Sequence, residues 1–212
     1  MKKQVLCGVA EHISDNKHYY AAVIAALFAG LVLGSVSAAS MEGEQYTNLS
    51  GFMDNFISSY SLQPVNKTRV LMNSIAGNIK TVLFLWVSGM WVGLIPFAIF
   101  QMGVKGYKLG FSAAFLVSAY KGRGILFAVM SLMPQILILM PILTVYTVFN
   151  IKYAMSVRKM RLRNASETVR RDMYIRNFLC VLGVVAVVFV CSLFDAFVIP
   201  PVLKPVCSYL AA

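Results

Sequence analysis

The sequence predicts an all-α, polytopic integral membrane protein, a helical bundle of five transmembrane helices with its N-terminus in the cytoplasm and its C-terminus outside. Three observations predict it. Hydrophobic residues fill 59% of the 212 positions, charged residues fill 13%, and mean hydropathy is +0.74; a soluble core of this size cannot enclose so much apolar side chain, whereas lipid solvates it. The apolar residues gather in stretches near the ~20 residues that a helix needs to cross the hydrocarbon. The basic residues behind the net charge of +11 lie between those stretches. There they mark the cytoplasmic side and meet anionic headgroups, so the lipid bilayer is the expected partner and nucleic acid is not.

The first span covers residues 19–39, preceded by Lys2, Lys3 and Lys17. A basic leader, an apolar run and the small residues Val36-Ser37-Ala38 also fit a cleaved signal peptide, which would leave four spans. The length of the leader and the continuation of the apolar run favour a retained helix. Residues 41–80 form the outer loop. Phe52, Phe56 and Tyr60 recur every four residues with Met53 and Ile57 alongside, which predicts a short amphipathic helix. Leu71, Ile75 and Ile79 predict a second one after Pro64. Such helices lie in the headgroup region, or offer Phe52, Phe56 and Tyr60 as a dock for a partner outside the membrane.

The next spans are residues 81–100, 103–120 and 124–149, with Lys105 and Lys108 expected to snorkel at the cytoplasmic end of the short third one. Parity supports three crossings here. The chain is outside after the first helix and must return inside for the basic segment, residues 151–177, which holds Lys152, Arg158, Lys159, Arg161, Arg163, Arg170, Arg171 and Arg176. Within it, Asn164 and Glu167 have the spacing of a capping box that would start a helix running into the last span, residues 178–200.

Glycine spacing marks close helix packing. Gly30 and Gly34 lie one turn apart, as do Gly89 and Gly93, and Gly103, Gly106 and Gly110 form a further ridge. These faces suit packing inside one bundle, or self-association into a homo-oligomer. Pro96, Pro134 and Pro141 each remove a backbone donor and predict kinks. Gln135, deep in the fourth span, seeks a hydrogen-bond partner. Asp195 is an intramembrane acid near the outer end of the last span; it serves a function or faces headgroups and water.

No catalytic, cofactor-binding or metal-binding set is expected. The two histidines, His12 and His18, belong to the leader, and no metalloprotease or phosphate-loop motif occurs. Cys7, Cys180, Cys191 and Cys207 lack metal-site or redox spacing and read as small core hydrophobes.

Several motifs in order carry a resemblance: Asn78-Ile79-Lys80, then Trp86, Gly89 and Pro96, then Lys105-Gly106 and Gly110-Phe111, then Gly124 and Ser131-Leu132-Met133-Pro134-Gln135, Pro141, and finally Ser192-Leu193-Phe194-Asp195-Ala196-Phe197. With them the chain resembles the stage II sporulation protein M family over nearly its whole length. The resemblance implies a non-enzymatic scaffold in the cytoplasmic membrane of a spore-forming bacterium, at the septal membrane during engulfment of the forespore. It implies as partners two cell-wall hydrolases, the stage II sporulation proteins D and P, and peptidoglycan remodelling as the setting. The alternative is a permease or the membrane subunit of a transporter, motivated by the broken helices, Gln135 and Asp195. A lipid- or curvature-sensing role rests on the basic segment alone.

Overall fold

In a computed structural model the described residues are 16–62, 66–162 and 167–211; the side chains of residues 60–62, 133–135, 161–162 and 208–211 are outside the described set. Among the described residues the chain is almost entirely helical and has no strand. The helices are α1 (Lys17–Ala39), α2 (Gly43–Leu62), α3 (Lys67–Met90), α4 (Ile95–Pro134), α5 (Met140–Leu162), α6 (Glu167–Phe197) and α7 (Ile199–Ala211). A 3-10 turn, Val92–Leu94, joins α3 to α4, and a π turn, Gln135–Leu139, joins α4 to α5. Five helical stretches are long and apolar enough to cross a membrane: Lys17–Ala39, Lys67–Met90, Val92–Leu132, Ile136–Met160 and Glu167–Cys207.

The helices cross in alternating directions. α1 runs parallel to the first limb of α4: Gly30 meets Gly103, and Gly34 meets Tyr107 and Phe111 further on. α3 runs antiparallel to α6, with Ser74 near the start of one bonded to Asp195 near the end of the other. α1 begins where α5 ends, and the Tyr19 hydroxyl lies 3.4 Å from the Met155 sulfur. One end of the bundle therefore gathers α2, α7 and the start of α3. The other gathers the start of α1, the 3-10 turn, the end of α5 and the start of α6, with Lys17, Lys152, Arg158, Arg170, Arg171 and Arg176 among them.

The α1–α4 contact is backbone on backbone. A Cβ at Gly30 or Gly34 would collide with the carbonyl of Gly103 or Tyr107, and one at Gly106 or Gly110 with the carbonyl of Leu27 or Leu31. Close approach maximises dispersion contact where lipid supplies no hydrophobic drive between helices. Ser35 adds a 3.3 Å hydrogen bond to the Gly110 carbonyl. The core beside this seam packs Val23, Val82, Leu85, Met102, Leu143, Tyr146 and Val188.

Two boundaries differ from the expected ones. Residues 81–100 do not form one span. Asn66 caps α3, its side chain accepting from the Arg69 N–H at 3.2 Å, and the helix ends at Trp91, whose backbone is extended (φ −133°, ψ 129°). The segment expected as the outer loop is thus shorter than residues 41–80, and Leu71, Ile75 and Ile79 belong to the first half of a span-length helix. Second, the C-terminal residues do not simply end the last span. α6 stops at Phe197 and α7 follows, burying Leu203, Val206 and Cys207 against Ile57 of α2 and Leu116 and Phe127 of α4. That spacing of three and four is the helical signal in an otherwise proline-rich tail.

α4 breaks at Lys121 (φ 51°, ψ −131°) into limbs of residues 95–120 and 122–134. A side chain in the left-handed region is strained. The neighbouring Gly124 comes so close to the first limb that a Cβ there would collide with the Leu116 carbonyl. The reversal therefore depends on Gly124 having no side chain. The π turn lies between Pro134 and Pro141; neither proline can donate a helical hydrogen bond, and local widening absorbs the loss.

Candidate functional site: a polar cavity inside the bundle

On α3, Ser74, Asn78 and Thr81 recur at the spacing of one helix face. On α4, Lys105 and Lys108 are three apart and so are also neighbours on one face. Together with Ser131 from the second limb and Asp195 from α6, these residues line a cavity of about 560 Å³. Phe56 of α2 and Ile199 and Leu203 of α7 add apolar lining from the α2–α7 end. Lys105 is ten residues from Ile95, roughly 15 Å along the axis, about halfway through a hydrocarbon layer ~30 Å thick.

Lys105 Nζ donates to Asn78 Oδ1 at 3.2 Å. The Ser74 hydroxyl donates to Asp195 Oδ2 at 2.7 Å and lies 3.2 Å from the Ser192 hydroxyl. The Thr81 and Ser131 hydroxyls donate to backbone carbonyls of their own helices, Gly77 at 3.3 Å and Phe127 at 2.5 Å. Among the described residues the one ion pair is Arg170–Glu167, on the helix surface at the basic end of the bundle. Neither cavity lysine therefore touches a carboxylate. A lysine at the centre of a span costs about 2.5–3.5 kcal/mol. A polar cavity lowers that cost by keeping the amine solvated or liganded.

The expected snorkelling of Lys105 and Lys108 at a cytoplasmic helix end is therefore corrected. α4 starts ten residues before Lys105, and both side chains turn into the cavity. Asp195 lines this same cavity and is held by Ser74. Five residues of the motifs quoted above, Asn78, Lys105, Ser131, Leu132 and Asp195, meet in it. Sequence reasoning did not bring them together because they are spread over 118 positions on three helices.

The remaining candidates separate. Gly30, Gly34, Gly106 and Gly110 form the α1–α4 seam, and Gly89 is pressed against Asn150 of α5. Gly93 is in the 3-10 turn with nothing within 4 Å of an added Cβ, so it is not a packing glycine. Pro96 is the second residue of α4, where the missing N–H has no helical acceptor, so it does not kink a span. Pro141 follows the π turn. The side chains of Pro134, Gln135 and Tyr60 are outside the described residues, as are the Asn164 cap, His12 and Cys7. Phe52 (67% exposed) and Phe56 (40% exposed) are one turn apart on α2, and Phe56 also lines the cavity. Cys191 and Cys207 are buried and Cys180 half-buried.

α2 is pinned to the end of the bundle from several sides. Ile57 is buried with Leu203 and Cys207. The Tyr120 hydroxyl donates to Asp54 Oδ1 at 2.7 Å, and the rings of Tyr46 and Phe115 are 6.0 Å apart. In the opposite half of the bundle, the Tyr146 hydroxyl, Asn150 Oδ1 and Asn177 Oδ1 are buried without a hydrogen-bond partner among the described residues.

The family model described as Stage II sporulation protein M matches residues 23–200. A search of curated proteins and a search of solved structures each found no match.

Proposed function

The chain belongs to the stage II sporulation protein M family, whose membership implies a role in sporulation, and from that premise we propose that it is a non-enzymatic membrane scaffold that holds peptidoglycan hydrolases at the septal membrane while the forespore is engulfed. The hydrolases would resemble the stage II sporulation proteins D and P. The observation that carries this reading is the α2–α7 platform. It is packed firmly enough by Ile57, Leu203 and Cys207 to act as a rigid support, and it leaves the large apolar Phe52 exposed. A rigid helix bearing an exposed aromatic anchor is a common way to seat a partner. The positive-inside rule puts the opposite, basic end in the cytoplasm. The platform then faces the cell wall, where the hydrolases act.

The test is copurification of the tagged protein from its host during sporulation. Cell-wall hydrolases should be recovered, and their septal location should be lost when this protein is deleted. Hydrolases that neither copurify nor move on deletion would end the scaffold reading.

The polar cavity favours a second reading, a permease or transporter subunit. Against it, the residues just beyond the cavity on α3 and α4, Val82, Leu85 and Met102, are apolar and buried in the core. Flux of a small anion into liposomes holding the purified protein would revive that reading.

A further inference from the structure

The cavity has chemistry that scaffolding does not require. We propose that it is a binding site for a phosphate-bearing ligand, with Lys105 and Lys108 as its cationic side and the Asn78 amide as a positioning donor. The inference does not rest on the scaffold reading.

The two ammonium groups are three residues apart on one helix face and repel each other. Among the described residues no carboxylate lies within ion-pair distance of either. Asp195, the acidic group lining the cavity, is engaged by Ser74 on the α6 side. Two cations against one carboxylate leave the recess net positive, and the half-buried Lys105 is only partly solvated there, which makes its unpaired charge costly. An anion between the lysines removes that cost.

The donor inventory fits phosphate. Lys105 spends one N–H on Asn78 and keeps two, and Lys108 has three with no acceptor among the described residues. Because the Asn78 carbonyl accepts from Lys105, its NH2 group, which has no acceptor among the described residues, is left to donate. Thr81 and Ser131 have spent their protons on the backbone and offer lone pairs only. Lysine binds phosphate as a point charge from several directions, without the planar match that a carboxylate shares with arginine. The volume, about 560 Å³, falls in the ~300–1,000 Å³ range of small-molecule sites. Apolar Phe56, Ile199 and Leu203 at the α2–α7 end would accommodate the non-phosphate part of a ligand.

Two sources share this chemistry, a phospholipid headgroup and a soluble phosphate. Full-length protein in a neutral maltoside detergent is titrated with inorganic phosphate and, separately, with short-chain phosphatidylglycerol. Unfolding temperature and native mass spectrometry report binding. At least one probe should bind, and the Lys105→Gln/Lys108→Gln double variant should bind it about tenfold more weakly or worse, the factor expected for losing charge-assisted hydrogen bonds. Lys80→Gln, at an exposed α3 lysine outside the cavity lining, should leave binding unchanged, and Asp195→Asn should tighten it by removing a repelling charge. A response to the lipid alone identifies a headgroup site, and a response to phosphate alone a soluble ligand. No binding of either probe to the unmodified protein, or equal binding by the double variant, overturns the proposal. If the double variant does not fold, Lys108→Gln alone is judged by the same criteria, since Lys108 is exposed and makes no hydrogen bond among the described residues.

Discussion

The Ser74 hydroxyl donates a 2.7 Å hydrogen bond to the Asp195 carboxylate, tying the first half of α3 to the last turns of α6 across 121 residues of sequence. The bond sits at the edge of the polar cavity, where exchange with water competes less than at a surface. Hydrogen bonds between transmembrane helices average about 0.6 kcal/mol in measured cycles, and those to a charged group reach about 1.5–3 kcal/mol. A double-mutant cycle of Ser74→Ala and Asp195→Asn should therefore return a coupling of about 1 kcal/mol, read from unfolding in mixed dodecyl sulfate micelles. Ser192, 3.2 Å from Ser74, offers an alternative partner, so Ser192→Ala should raise the measured coupling. A coupling indistinguishable from zero in both backgrounds would mean that the bond does not hold the helices.

The glycine seam makes a sharper stability prediction. Gly34→Leu and Gly106→Leu place side chains where the Tyr107 and Leu27 carbonyls already lie, so α1 and α4 must separate. The cost should be at least the ~1–3 kcal/mol of an overpacked core, because the obstacle is backbone and cannot swing aside. Gly93→Ala, in the open 3-10 turn, should stay within about 0.5 kcal/mol of the parent. The same unfolding assay decides, and equal losses at Gly93 and Gly34 would contradict the assigned seam.

Orientation is tested with cysteines placed by exposure. The native Cys207 is fully buried against Ile57, so an impermeant thiol reagent would react with it too slowly to report a side. Glu44 on α2 and Arg171 on α6 are exposed at opposite ends of the bundle. With the four native cysteines changed to Ala, Glu44→Cys should be labelled in intact cells, and Arg171→Cys only after permeabilisation. The reverse pattern would turn the molecule over and put the α2–α7 platform in the cytoplasm.

These relationships were unequally legible in the sequence. The class of fold follows from composition, because only lipid accommodates so much apolar surface. The glycine faces follow from spacing, because residues one turn apart share a helix face. The second span was misplaced for a physical reason. Lys67, Arg69, Asn73, Ser74, Asn78 and Lys80 make residues 67–80 look aqueous, yet Asn73, Ser74 and Asn78 line the polar cavity between the helices. Hydropathy averages over the faces of a helix and cannot separate a polar face turned inward from one in water. The same averaging put Lys105 and Lys108 at a helix end. The cavity itself depends on the registers of α3, α4 and α6, which tertiary packing fixes and no local pattern encodes.

The docking surface yields the last prediction. Sequence periodicity put Phe52 and Phe56 on one face, but their surroundings differ: Phe52 is 67% exposed, whereas Phe56 is 40% exposed and lines the cavity. One turn beyond Met53, Ile57 is 3% exposed and clamps α2 to α7. Phe52→Ser should therefore leave the unfolding transition within about 0.5 kcal/mol of the parent, as for surface substitutions, while recovery of hydrolases by copurification falls tenfold or more, the effect of removing an anchor worth about 1.4 kcal/mol or more. Ile57→Ser should weaken both, because burying a hydroxyl among Leu203, Val206 and Cys207 costs stability and loosens the platform. Recovery that survives Phe52→Ser but fails with Ile57→Ser would shift the dock from the exposed face of α2 to the α2–α7 seam.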